Sequence, residues 1–309
     1  MNIKDTRILV IGAGVNGSVI ASSLYNAGID VTILGRGKHY EQVRDEGIVI
    51  EDPFKNTRSV ARVPVINSLD PQDCYDFILV VIRKSQVADL LPVLAQNKSP
   101  NIVFMGNNLS GPEEFVRILG RERVMMGSVY AAGMRDGNVI RAMVVKSIAV
   151  PFGEIDGAIT PRLKQLINIL HQAGFKAEPA TNIVDGQTTH AVGVALIGKL
   201  VLKHGGKVKA LARSYGDLLL FTKARREAYV VLRTLGRKII PWSEVVIGVI
   251  PGFVQVMGFR MLLNSRLGEV GLAWHLSQAQ DEIQQLDMEL QALVDQAGLP
   301  VPAIKKVLE

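Results

Sequence analysis

The sequence predicts an α/β N-terminal half built on a doubly wound parallel sheet, followed by an all-α C-terminal domain. Three observations lead there. Short apolar runs alternate with helical patterns through the first half. A glycine-rich segment joins the first apolar run to the first helix. After Asn182 the strand signals stop and only helical periodicity remains. With 309 residues the chain is long enough for two cores, so the expected domains are 1–182 and 183–309.

In order along the chain, Arg7–Ile11 reads as a strand ending at glycine, and Val15–Ala27 as a helix stopped by Gly28. Val31–Leu34 is a second strand. Phe77–Ile82 is wholly apolar, as a strand covered on both faces should be. Gln86–Leu94 and Pro112–Leu119 read as helices on either side of a strand at Ile102–Met105. Two antiparallel pairs are expected: Gly47–Ile50 with Ser59–Ile66, and Val124–Ala132 with Val139–Val150. The second pair turns at Arg135–Asn138. Pro161–Ala173 is a helix and Phe175–Glu178 a last strand. The C-terminal helices are expected at Thr189–Leu202, Tyr215–Gly236, Ser243–Leu263 and Gln278–Ala297. In the last, Ile283, Leu286, Leu290, Leu293 and Val294 make one apolar stripe.

Composition narrows the function. A single cysteine, Cys74, excludes an intramolecular disulfide framework and points to the cytoplasm. The start of the chain lacks a signal-peptide layout. The apolar stretch Val245–Phe259 is shorter than the ~20 residues of a membrane span and is interrupted by Pro251 and Gln255, so no membrane is expected. The net charge is +6, but Lys223, Arg225, Arg226, Arg233, Arg237 and Lys238 read as a solvated helix face. No nucleic-acid motif accompanies them. The five histidines show no metal-ligand spacing.

Gly12, Gly14 and Gly17 form GxGxxG between a strand and a helix, the context in which this motif binds a dinucleotide. Gly12 allows the tight turn, Gly14 the approach of a pyrophosphate, and Gly17 close packing of helix on sheet. The helix N-terminus, at Val15 and Asn16, offers amides to the phosphates. This is a Rossmann-type arrangement. An NAD site usually carries an acid about 20 residues further on. Here the second strand ends Leu34-Gly35-Arg36-Gly37-Lys38, and Asp30 lies at its opposite end. Guanidinium binds a 2′-phosphate well, so Arg36, with Lys38 beside it, predicts NADP(H). Arg83 follows a strand's carboxyl end and faces the same ligand crevice.

Over nearly its whole length the chain resembles the ketopantoate reductase (2-dehydropantoate 2-reductase) family. The resemblance rests on GAGVNGS, EQVRDEGIVIED, VVIRKSQVADLL, MGNNLSGPEEF, GSVYAAGMRDGNVI, FGEIDG, REAYVVLRTLG and the closing DEIQQLDMELQALVDQAGLPVPAI. It implies NADPH-dependent reduction of a 2-oxo acid or related small carbonyl compound in the cleft between the two domains. It gives Asn107 the cofactor-site asparagine position and Glu282 that of a substrate-holding glutamate. The family's proton-donating lysine is replaced by His190, and its neighbouring tryptophan by Thr188. Val194 and Gly198 replace two asparagines, Val270 a serine and Ser110 a glycine. His190 remains the candidate acid, since imidazolium is competent near neutral pH. Lys199 lies about half a turn out of phase with it. Loss of the asparagines makes ketopantoate itself a poor fit. Two alternatives stay open: a non-catalytic NADP(H)-binding protein, or a dehydrogenase of another hydroxy acid. The partner expected is a small molecule, and a homodimer also stays open.

Overall fold

A computed structural model describes residues 5–129, 131–144, 148–274 and 280–309. Four expectations fall partly outside these: the reading of the first residues, residue 130 in the strand at 124–132, residues 145–147 in that at 139–150, and 278–279 of the last helix. His275 also lies outside them. Two compact units are present. One holds the chain up to Gly106 together with Pro112–Ile183, and the other holds Asn107–Gly111 and Val184–Glu309. A division of the sequence at 182 leaves Asn107–Gly111 with the sheet, whereas the fold gathers that loop into the helical unit.

The first unit contains strands β1 (Arg7–Ile11), β2 (Asp30–Leu34), β3 (Ile48–Asp52), β4 (Thr57–Ala61), β5 (Val65–Ile66), β6 (Phe77–Val80), β7 (Ile102–Phe104), β8 (Val124–Gly127), β9 (Ala131–Asp136), β10 (Val139–Val144), β11 (Val150–Glu154) and β12 (Ala177–Pro179). Its helices are α1 (Val15–Asn26), α2 (Lys38–Glu46), α3 (Val87–Gln96), α4 (Glu113–Leu119) and α5 (Pro161–Gln172). Eight strands form one sheet in the order β12-β11-β8-β7-β6-β1-β2-β5. Every pairing in it is parallel except β11 with β8. This is the expected doubly wound sheet. The chain leaves β1 toward β2 on one side and returns to β6 on the other, so β1 marks the switch point of the strand order. Every residue of β6, β7 and β8 is buried, as helices on both faces require. Ile8, Val10, Ile33, Phe77, Leu79 and Val103 lie in the core.

The antiparallel expectations need correction. β3 and β4 do pair antiparallel, but Val65–Ile66 leaves that pair to run parallel with β2. Val124–Ala132 is two strands rather than one. The fully buried Val124–Gly127 suits the doubly covered large sheet, whereas half-buried β9 belongs to a smaller, four-stranded one. That second sheet has the order β4-β3-β10-β9, and the parallel pairing of β3 with β10 joins the two hairpins.

The second unit is helical among the described residues: α6 (Ile183–Lys203, from Val184), α7 (Val208–Arg213), α8 (Tyr215–Thr234), α9 (Trp242–Val249), α10 (Gly252–Asn264), α11 (Gln280–Ala297) and α12 (Pro302–Leu308). The expected helix Ser243–Leu263 is broken in two. Pro251 carries no amide hydrogen and holds the preceding Ile250 extended, so α9 and α10 bend by 120°. No single described helix is long and apolar enough to cross a membrane. Leu196, Leu200, Phe221, Leu232, Leu286 and Leu290 form the core.

The basic cluster on α8 is not uniformly a solvated face. Arg225 is buried, donating to Gln255 Oε1 at 2.7 Å and Glu244 Oε2 at 3.3 Å among the rings of Phe221, Tyr229 and Phe259. Arg226 donates to the carbonyls of Gly248 and Ile250. Both side chains tie α8 to the broken pair: Arg225 through the side chains of Glu244 and Gln255, and Arg226 through carbonyls that the bend leaves without helical partners.

Candidate functional site

In the sheet unit, register places the candidate cofactor residues at one edge. Ile11 stands opposite Leu34 of β2 and Val80 of β6. Gly12, Arg36 and Arg83 therefore all follow the carboxyl ends of three neighbouring parallel strands, the position where doubly wound sheets hold ligands. Arg36 is exposed and Arg83 half-buried. Asp30 lies at the far end of β2, 3.7 Å from Arg7.

The glycine turn is shaped by steric necessity. Gly12 has φ +115°, and a Cβ there would lie 2.4 Å from the Val81 carbonyl oxygen. A Cβ on Gly17 would come within 1.8 Å of the Gly12 carbonyl oxygen. Gly14 differs: its φ is −76°, and nothing lies within 4 Å of the Cβ position. The first turn of α1 carries no acidic residue, so its amides and partial positive charge are available to an anion.

Two side chains tie this turn to β9. The Asn16 side-chain oxygen accepts from the Ala131 amide of β9 at 2.8 Å. Arg135, also on β9, donates to the Ala13 carbonyl and, at 3.3 Å, to Gln42 Oε1 of α2. Burial lowers the Arg135 guanidinium from its ordinary value. Burial, followed by the Arg135 charge, lowers the His39 imidazole. Sequence reasoning took Arg135 for a hairpin-turn residue. Its role depends on how β9 lies over a turn 122 residues earlier, which no local signal reveals.

In the helical unit the structure brings Asn107 and Glu282 together: Asn107 Nδ2 donates to Glu282 Oε1 at 2.6 Å, with Glu282 buried. Glu289, seven residues on and also buried, was not singled out in the sequence. Its Oε2 accepts from the Leu109 amide at 2.8 Å and the Ser110 amide at 3.3 Å. The i, i+7 spacing of the two glutamates on one face of α11 was the available signal. Asn108 is buried and closes its own loop by donating to the Gly111 carbonyl at 2.7 Å. His190 is exposed on α6, after the buried Thr188 and Thr189, whose hydroxyls donate back to the Val184 and Asp185 carbonyls. Lys199 pairs with Asp287 at 3.4 Å. Among the described residues no His, Cys, Asp and Glu cluster could hold a metal.

A doubly wound parallel sheet with a glycine turn at its switch point is the arrangement in which such sheets hold dinucleotides, and here a helical unit with buried carboxylates follows it in the chain. Residues 8–156 match the family model described as ketopantoate reductase PanE/ApbA. It is 26% identical over 182 residues to a 2-dehydropantoate 2-reductase of Archaeoglobus fulgidus, covering 59% of this chain and 58% of that one. To the enzyme of the same name from Pyrococcus horikoshii it is 26% identical over 184 residues, with 58% and 57% covered. The chain thus matches under two thirds of either relative's length. In fold it is similar to D-mandelate dehydrogenase solved with NADH and anilino(oxo)acetate, with TM-score 0.78, 14% identity, and 98% and 96% of the two chains covered.

Proposed function

We propose that this protein binds NADP(H) and reduces a 2-oxo acid or related small carbonyl compound. The observation that carries the reading is the edge where Gly12, Gly14, Arg36 and Arg83 follow the ends of adjacent parallel strands, with the one acid of β2 at the far end. The residues fit such a cofactor. Space is open at Gly14, the first turn of α1 has no carboxylate, and an exposed guanidinium stands where a 2′-phosphate would be read. When bound, the reduced nicotinamide supplies a hydride.

The chain's own residues would do the rest. Amides at Val15, Asn16 and Gly17 hold the pyrophosphate, and Arg36 the 2′-phosphate. Arg83 adds positive charge at the same edge. Asn107 and Glu282, hydrogen-bonded to each other, position polar groups of cofactor and substrate. His190 holds the proton that the carbonyl oxygen takes, and it can exchange that proton with water because its side chain is exposed. Val194 and Gly198 offer no polar partner to a hydroxylated acid, which favours a substrate less polar than ketopantoate. The cytoplasm, where a thiol such as exposed Cys74 stays reduced, is the compartment this reading implies.

Incubation with NADPH and a panel of 2-oxo acids tests the proposal. At least one acid should drive NADPH consumption, and His190→Ala should suppress it. Consumption at background with every acid overturns the reading. We also propose a homodimer, because Trp242, Val249, Phe253, Met257 and Met261 on α9 and α10 are 57–78% exposed and such apolar patches mark contact surfaces. Light scattering giving a monomer mass would refute it.

A further inference from the structure

Strand β9 grips the glycine turn at two points: the Asn16–Ala131 hydrogen bond and the Arg135–Ala13 hydrogen bond. Ser18 Oγ donates to the same Ala13 carbonyl from α1 at 3.2 Å. A trans peptide points its C=O and the following N–H in opposite directions. Holding the Ala13 carbonyl toward Arg135 and Ser18 therefore directs the Gly14 amide away from them. Gln42 Oε1 steadies the other end of the guanidinium, and His39 Nδ1 meets that oxygen at 3.5 Å. The bonds to Ala13 and Gln42 fix the side chain against the turn and α2. Arginine stays protonated at neutral pH, which leaves a half-buried cation directly behind the turn. Desolvation strengthens its field there.

We propose that Arg135 is a positioning residue for the dinucleotide pyrophosphate, acting with Asn16 as a latch that sets the glycine turn from the small sheet. The proposal rests on the NADP(H)-binding reading above. The latch acts on the turn and on the pyrophosphate, which NADPH and NADH share. It differs in this from Arg36, whose effect is on the 2′-phosphate alone.

The test compares wild type with Arg135→Met, which keeps the stem and removes charge and donors, and with Arg135→Lys, which keeps the charge. Calorimetric titration with NADPH and NADH should show both weakened by the same factor, roughly ten- to hundredfold in the methionine variant, with partial recovery in the lysine variant. In ligand-free protein, amide exchange over residues 13–17 should accelerate while the large sheet stays protected. A folded Arg135→Met with unchanged affinity and exchange overturns the proposal. So does a loss confined to NADPH, which would make Arg135 a 2′-phosphate ligand instead. Should the methionine variant not fold, Arg135→Lys and Asn16→Ala carry the same measurements. If the wild type binds neither dinucleotide, the proposed function fails. The exchange data then decide the latch by themselves, acceleration supporting it and no change overturning it.

Discussion

Gly17 and Gly14 belong to one motif, yet substituting them should produce opposite defects. In Gly17→Ala the new methyl would stand 1.8 Å from the Gly12 carbonyl oxygen, where a carbon–oxygen contact normally needs about 3.3 Å. The shortfall, about 1.5 Å by that standard, cannot be absorbed by a flexible side chain, because the obstacle is backbone. Either α1 lifts off the sheet or the turn opens. Overpacking costs about 1–3 kcal/mol, and backbone contact puts this case near the top, at about 3 kcal/mol. For a unit of this size that lowers Tm by about 6–12 °C. Gly14→Ala meets nothing within 4 Å and has φ −76°, which any L-residue adopts. Its Tm should fall by about 2 °C or less. Its methyl instead occupies the space through which the backbone would approach a pyrophosphate, so NADPH affinity should drop roughly tenfold or more. Thermal scans of both variants with and without NADPH, together with calorimetric titration, separate the two effects. Equal destabilisation of both, or a Gly14→Ala variant that binds NADPH as the wild type does, would refute the division between packing and binding glycines.

Arg36→Asp should abolish any preference for NADPH over NADH, because a carboxylate would replace the guanidinium that follows β2 and repel a 2′-phosphate. Paired titrations check this, and an unchanged ratio rejects the cofactor assignment. Arg225→Met should cost about 3 kcal/mol in chemical denaturation. The substitution leaves Gln255 without its donor, while Glu244 keeps only the Tyr229 hydroxyl at 2.6 Å. An undisturbed midpoint would mean that α9 and α10 are held otherwise. Asp217 supplies a pH test. Burial alone would raise its carboxyl, but hydrogen bonds from Ser214, Lys203 and His204 outweigh that and hold it at about 2. A depressed carboxylate contributes stability above the unfolded-state value, and that contribution fades as pH falls toward about 2. Asp217→Asn should therefore be less stable than wild type at neutral pH, with the gap closing below about pH 4. A gap independent of pH would assign the loss to something other than the charge.

The stretch from Arg7 to Gly17 shows why so much of the sheet unit was legible. Ile8–Ile11 had to be buried, Gly12 had to turn with positive φ, and Gly17 had to let the helix close in. Each demand is met within one strand, one turn and one helix, so residue type and spacing reveal it. The same holds for α8, whose periodicity runs from Tyr215 to Thr234, whereas the apolar pattern Ser243–Leu263 read as one helix and concealed the break at Pro251. What spacing does not carry is partnership between distant segments. Nothing local told β8 to enter the large sheet and β9 the small one, or paired β10 with β3. Asn107 and Glu282 were singled out separately, as two motif positions, and only folding put a 2.6 Å hydrogen bond between them. Arg225 and Arg226 looked like solvent-facing charges because the groups that bury them lie across a helix bend. Glu289 and Arg135 act on amides and carbonyls 180 and 122 residues away. The sequence by itself determined the order of elements, the glycine turn and its basic neighbour, since those rest on backbone sterics and short-range periodicity. Tertiary structure alone decided which buried polar groups met, because satisfying a desolvated donor or acceptor depends on what the rest of the chain brings within 3 Å.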